Sequence, residues 1–98
     1  MTLPIVFRRV ARSEFLDAAN WYESQRAGLG VEFIAEIDRC ITRLAEHPDG
    51  LAMVRPQIRR ITAQRFPFSV YFRIETSRIV VLAVFHGRRD PLIWQGRA

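Results

Sequence analysis

The clearest feature in the pattern of hydrophobic and polar positions is an apolar run near the C-terminal end, Ile79–Phe85. It is too short for a buried helix, is rich in β-branched residues and is apolar at both odd- and even-numbered positions. This pattern predicts a central strand covered on both faces. Strict alternation of side chains would divide the run into two faces. The predicted faces are Val80, Leu82 and Val84 on one side, and Ile79, Val81, Ala83 and Phe85 on the other.

Two helices are predicted before this strand. From Val10 to Arg26, apolar residues recur at spacings of three and four, which indicates one buried helix face. That face consists of Ala11, Phe15, Ala18, Ala19 and Tyr22, and Trp21 broadens it. Gly28 is the expected left-handed residue after this helix. The second helix, Val31–Glu46, has its apolar face at Phe33, Ile34, Ile37, Cys40, Ile41 and Leu44, and we expect Cys40 to be a buried structural thiol.

The remaining segments predict strands. A short strand at Pro4–Arg9 precedes the helices, and a loop at Leu51–Pro56 follows them. Three strands then follow, at Gln57–Ala63, Phe66–Glu75 and Arg78–His86, and the last two form a hairpin. The predicted fold class is α+β, in the order β-α-α-β-β-β, with a helical hairpin packed on one face of a small antiparallel sheet. The 98 residues form a single domain, residues 1–98.

This arrangement leaves one face of the apolar strand without a cover, because two helices can cover only one face of a sheet. Either the tail Leu92–Ala98 folds back over the second face, with Trp94 as its packing anchor, or another chain covers it. The second alternative would mean that the protein works with a partner.

Composition and charge narrow the class of protein. The chain is 49% hydrophobic and 26% charged, which is typical of a globular protein. It has no apolar stretch long enough to span a membrane and no signal-peptide pattern, so we expect a cytoplasmic protein. All fifteen of its cations are Arg, against ten acids. Arg pairs well with phosphate and carboxylate groups, which indicates a nucleic acid or an acidic protein segment as the partner.

The candidate functional residues lie in the C-terminal half. We predict a nucleic-acid or target-binding surface formed by Arg59, Arg60, Arg73, Arg88, Arg89 and Trp94. Tyr71, Phe85 and Trp94 could stack bases beside it; the alternative is a solvated face of Arg side chains over a small core. If the protein cleaves RNA, His86 is the acid or base and Arg89 stabilises the charge of the phosphorane. Asp90 would orient Arg88 or cap the turn. No cofactor or metal site is predicted, because the His and Cys residues lack zinc-ligand spacing.

Taken together, the residues resemble the RelE/ParE superfamily of toxins from bacterial type II toxin-antitoxin modules, and most closely its ParE or plasmid-stabilisation branch. The likeness covers nearly the whole chain, and its motifs are individually weak but fairly specific in this order and spacing. They are Glu14 with Ala18–Glu23, Gly28–Gly30 with Phe33, Glu46–Pro48, Ile58–Arg60, Phe66–Phe68 with Val70 and Tyr71, and Val81–Pro91 with Trp94 and Arg97.

The resemblance implies one of two activities. ParE-type members inhibit DNA gyrase by binding, and RelE-type members cleave mRNA in the ribosome. RelE-like toxins carry a basic residue where this chain has Ser69, an Arg that Arg89 matches, and a Tyr where this chain has Gln95 or Trp94. Two of these three positions differ from the RelE pattern. The resemblance therefore favours inhibition of gyrase, and the alternative activity is that of a ribosome-dependent endoribonuclease.

The resemblance also implies a protein partner. Toxins of this family are neutralised by an acidic or amphipathic antitoxin segment that wraps the helix pair and the sheet. On this chain the expected contacts of a cognate antitoxin are Trp21, Tyr22, Tyr71 and Phe85. Such a complex would be a heterotetramer or a larger assembly.

Overall fold

The computed structural model describes residues 3–89 and 92–97 of the chain. The elements, in chain order, are β1 Ile5–Phe7, α1 Arg9–Gln25, α2 Leu29–Glu46, β2 Ala52–Arg55, β3 Ile58–Thr62, β4 Phe68–Ile74, β5 Ile79–His86 and α3 Leu92–Gln95. A short 3₁₀ turn, Pro48–Gly50, joins α2 to β2. The two long helices pack side by side on one face of a five-stranded sheet with the order β1-β5-β4-β3-β2.

The predicted α+β architecture is confirmed, and two of its details are corrected. The sheet is mixed rather than antiparallel, because β1 runs parallel to β5, which is possible when a long connection separates two strands. The predicted loop at Leu51–Pro56 contains a strand, β2, which pairs with β3 at the sheet edge. Its sequence does not alternate between apolar and polar positions, and Met53 is half exposed, so backbone pairing rather than burial defines this strand.

The helix face of the sheet carries the larger part of the core. Phe33, Ile37, Cys40 and Leu44 of α2 are fully buried, as their spacing predicts, and they pack with Ala11 and Ala19 of α1. Burial raises the pKa of the Cys40 thiol to about 11. The thiol therefore stays protonated at neutral pH and behaves as an apolar group, which confirms the predicted structural role.

A β-bulge in β5 changes the predicted assignment of its faces. Tyr71 of β4 lies opposite Ala83, but the next residue, Phe72, lies opposite Val81, so Leu82 is an extra residue in β5. The strand is buried on both sides, as predicted. However, Val84 packs with Ile79 and Val81 on the helix face, and Leu82, Ala83 and Phe85 pack with Val80 on the second face. The simple alternation fails because one inserted residue moves every later side chain to the opposite face of the sheet.

The second face is covered by the chain's own C-terminal segment. Trp94 of α3 is only 3% exposed, and its ring stacks on Tyr71 with the ring centroids 4.1 Å apart. Of the two alternatives for this face, the tail with Trp94 is therefore the correct one. The bare second face, which the sequence offered as an indication of a partner, does not exist in the folded chain.

An ion pair fastens this segment to the bulge. The guanidinium of Arg97 donates to both carboxylate oxygens of Glu14, at 2.9 and 3.0 Å, and to the carbonyl oxygen of Leu82 at 3.3 Å. The Val84 amide donates to the same carboxylate at 3.2 Å. The side chains of Arg97 and Glu14 are only 16% and 12% exposed. Losing one partner of such a buried ion pair generally costs about 3–5 kcal/mol of stability.

The two long helices approach most closely near Gly30. A Cβ at Gly30 would lie 2.6 Å from the carbonyl oxygen of Ala19 and 2.9 Å from a carboxylate oxygen of Glu23. That carboxylate accepts hydrogen bonds from the amides of Gly28 and Gly30, both at 2.9 Å, and so caps α2 from α1. Gly28 has φ +88°, which confirms the predicted left-handed residue between the helices.

Substitution of Gly30 should therefore destabilise the helical hairpin. We expect Gly30→Ala to lower the free energy of unfolding by about 1–3 kcal/mol, because the added methyl group forces backbone and side chain apart. The control is Gly50→Ala, where a Cβ would have no neighbour within 4 Å, and which should leave stability unchanged or slightly increased. Urea unfolding of both variants gives the comparison, and equal effects would contradict close contact at Gly30.

Candidate functional site

A large apolar groove lies between α1 and the end of β5, and we call it the helix-side groove. Its volume is about 680 Å³. One wall carries side chains of α1, and the other consists of the end of β5, the start of β4 and the loops beside them. The lining residues are Glu14, Asp17, Ala18, Trp21, Tyr22, Pro67, Phe68, Val84, His86 and Arg89. Trp21 is 58% exposed, which is unusual for so large an apolar side chain and makes this groove a candidate for a protein partner.

The edge of β5 borders the helix-side groove. β1 pairs with the first half of β5, Ile79–Val81, and among the residues that the structure describes no strand pairs with the second half on that side. The amide of Val84 donates to Glu14 on this edge. In an antiparallel ladder a residue turns its amide and its carbonyl to the same side. The Val84 carbonyl and, two residues on, the His86 amide therefore face the groove and are positioned to pair with an extended segment.

A smaller, polar cleft lies on the opposite face of the sheet, and we call it the second-face cleft. Its volume is about 260 Å³. Arg60 of β3 lies directly opposite Tyr71 of β4, and the Arg89 guanidinium lies 4.6 Å from the centroid of the Phe85 ring. The lining residues are Val54, Arg60, Tyr71, Phe85, His86, Gly87, Arg89, Trp94 and Gln95.

The structure brings together three of the six residues predicted to bind a nucleic acid or a target. Arg60, Arg89 and Trp94 line the second-face cleft. Arg59 lies in the same strand but points the other way, and its guanidinium donates to the carbonyl oxygens of Asp49 and Leu51. The other two lie apart from the cleft lining: Arg73 is paired with Glu75, and Arg88 is exposed in the turn after β5.

His86, the predicted acid or base, lies between the two sites. It contributes to the lining of both the groove and the cleft, as does Arg89. Its Nδ1 accepts a hydrogen bond from the Arg88 amide at 3.0 Å, and its ring packs against Phe68. Asp90 lies outside the described residues. Ser69, where RelE-like toxins carry a basic residue, is buried, and its hydroxyl lies 3.2 Å from that of Thr62.

The four residues predicted to contact an antitoxin divide between the two faces. Trp21 and Tyr22 line the helix-side groove, where Tyr22 also packs against Phe66. Tyr71 and Phe85 are buried on the second face, where Trp94 covers Tyr71 and Arg89 covers Phe85. Within the chain, Trp94 thus covers one face of the Tyr71 ring and Arg89 covers one face of the Phe85 ring. The covered face of Tyr71 cannot stack with a base.

Two residues that shape both sites, Glu14 and Arg97, belong to the motifs of the family resemblance, but their pairing was not predicted from the sequence. Glu14 lines the groove and, with Arg97, fixes the segment that covers the second face. The two residues are 83 positions apart, and neither stands in a motif that predicts pairing. Among the residues that the structure describes, no cluster of His, Cys, Asp or Glu could hold a metal ion, and no helix is long and apolar enough to cross a membrane.

Comparison with known proteins assigns this arrangement to a family. The fold is similar to a solved structure described as the chromosomal ParDE toxin-antitoxin system from P. aeruginosa, with a TM-score of 0.73 and 20% identity over 87% of this chain and 96% of that chain. No curated protein matches the sequence. Residues 5–91 match the family model described as the ParE toxin of the type II toxin-antitoxin system parDE. The chain therefore belongs to the ParE toxin family, and membership of this family implies an antitoxin as its partner.

Proposed function

We propose that this toxin inhibits DNA gyrase by binding it and that a cognate antitoxin neutralises the toxin by occupying the helix-side groove. The family match over residues 5–91 carries the proposal, because inhibition of gyrase is the activity expected of ParE toxins. Gyrase and its DNA are in the bacterial cytoplasm, and this is the compartment we propose for the toxin. The alternative target is the ribosome with its mRNA.

The helix-side groove supports the second half of the proposal. It combines the features of a site for a folded or extended peptide: a half-exposed aromatic anchor, an apolar floor and a free strand edge. Its ends differ in charge, with Asp17 on the helix side and Arg89 near the end of β5. An amphipathic antitoxin segment would bury its apolar side chains against Trp21 and Tyr22 and pair its backbone with Val84 and His86. A carboxylate of the same segment would reach Arg89.

A supercoiling assay tests the proposed target. Purified toxin should block the ATP-dependent supercoiling of relaxed plasmid by bacterial gyrase, and it should leave mRNA on programmed ribosomes intact. His86→Gln should retain the inhibition, because binding requires no proton transfer. Toxin mixed beforehand with its antitoxin is the control and should leave supercoiling unaffected. Undisturbed supercoiling together with cleaved mRNA would establish the ribonuclease instead.

A binding measurement tests the proposed antitoxin site. The probe is the protein encoded by the reading frame next to the toxin gene, titrated calorimetrically. Trp21→Ala should weaken binding by roughly 30-fold or more, as expected for an aromatic anchor at the centre of an interface. Trp21 is largely exposed, so the thermal stability of the free toxin should change little.

Met53→Ala provides the matched control for this measurement. Met53 is about as exposed as Trp21, at 53%, but it lies on β2 at the far edge of the sheet. Its loss should leave antitoxin binding unchanged. If Met53→Ala weakens binding as much as Trp21→Ala does, the antitoxin occupies a different surface.

A further inference from the structure

We propose that the second-face cleft is a binding site for a phosphate group of a nucleic-acid strand, held by Arg60, Arg89 and the indole N–H of Trp94. This goes beyond the function proposed above, because it depends neither on gyrase nor on an antitoxin. Three independent observations carry it: the pairing of the Arg residues, the state of the Trp94 side chain, and the shape and composition of the cleft.

The first observation is that two Arg residues without a carboxylate partner among the described residues share one small cleft. Other unpaired Arg residues in this part of the chain, such as Arg9 and Arg43, lie on the exposed surface of the helices. Arg26, Arg39, Arg65, Arg73, Arg78 and Arg97 each form an ion pair with a carboxylate. Within residues 3–89 and 92–97, neither Arg60 nor Arg89 has such a partner, although both line the same small cleft. Two guanidinium groups brought to one cleft repel each other, and an anion between them would remove that repulsion.

The second observation concerns Trp94. Its side chain is 3% exposed, and its Nε1 atom is buried without a hydrogen-bond acceptor among the described residues. A buried donor without an acceptor generally costs about 1–3 kcal/mol. Trp94 lines the cleft, and because its Nε1 atom is buried in the free chain, a small rotation of the ring toward a bound ligand would let an oxygen atom of that ligand supply the missing acceptor.

The third observation favours phosphate over carboxylate. The donors come from three separate elements, namely β3, the turn after β5, and α3. A planar carboxylate fits one guanidinium fork, whereas a tetrahedral phosphate presents oxygen atoms in several directions and can accept from donors on several sides. The cleft is open to solvent and its aromatic residues lie beneath the donors, so a strand could pass through with one phosphate in the cleft and its neighbours outside.

The indole N–H signal of Trp94 provides a direct readout. The chain has two Trp residues, and Trp21→Phe assigns the remaining signal to Trp94. Titration of the full-length protein with a short single-stranded DNA, with RNA of the same sequence, and with inorganic phosphate should move the Trp94 N–H signal downfield. Whichever of the DNA and RNA strands binds more tightly shows whether the site prefers deoxyribose or ribose. A glutamate peptide of equal charge should bind at least roughly tenfold more weakly, since one lost bidentate contact corresponds to about that factor.

Matched double variants distinguish a built site from diffuse charge. Arg60→Gln with Arg89→Gln should reduce strand affinity by roughly tenfold or more and abolish the shift of the Trp94 signal. Arg9→Gln with Arg43→Gln removes the same charge from the exposed surface of the two helices, away from the cleft, and should change affinity by no more than about threefold. Both pairs are exposed, so both variants should remain folded by circular dichroism.

Two results would overturn the proposal. Equal loss of affinity in the two double variants would mean that strands bind to the overall positive charge. A glutamate peptide that binds as tightly as the strands and shifts the Trp94 signal would mean that the cleft takes carboxylates of a protein.

Discussion

The ion pair between Glu14 and Arg97 at the bulge of β5 is the interaction on which the rest of the structure depends. Beyond Val81 the strand loses its neighbour β1, and its backbone groups need other partners. Glu14 accepts from the Val84 amide, and Arg97 donates to the Leu82 carbonyl, so one buried pair satisfies both. The same pair holds the segment that carries Trp94 against the second face.

Both candidate sites follow from this arrangement. The bulge turns Val84 toward the helices and Phe85 toward the second face, which gives the helix-side groove its strand wall and the second-face cleft its aromatic floor. Glu14 occupies part of the edge that β1 leaves free, and the remaining part of the edge borders Trp21 and its groove. His86 and Arg89 line both sites, so an antitoxin segment in the helix-side groove and an anionic ligand in the second-face cleft would meet at these two side chains.

Local patterns predicted most of the fold, and contacts between distant residues account for what they missed. The helical spacing from Ala11 to Tyr22 and from Phe33 to Leu44 predicted most of the buried residues, but Trp21 and Ile34, which it placed on the buried faces, are exposed. The apolar run at Ile79–Phe85 predicted the central strand. The bulge at Leu82 carries no signal in one sequence, since all its neighbours are apolar. The strand β2 forms through pairing with β3 rather than through its own pattern.

The candidate site was predicted less completely. The excess of Arg indicated an anionic partner, but it could not separate Arg60, which faces the cleft, from Arg59, whose side chain is bound to carbonyl oxygens on the other face. Neighbouring residues of a strand point to opposite faces, but the sequence does not show which of the two faces each of them occupies.

The most direct test of the central interaction is quenching of Trp94 fluorescence by acrylamide in a Trp21→Phe background. Adding Arg97→Gln should raise the accessibility of Trp94 several-fold, while Arg78→Gln, from a more exposed ion pair, should leave it unchanged. If Trp94 stays equally protected without Arg97, the ion pair does not hold the segment on the sheet.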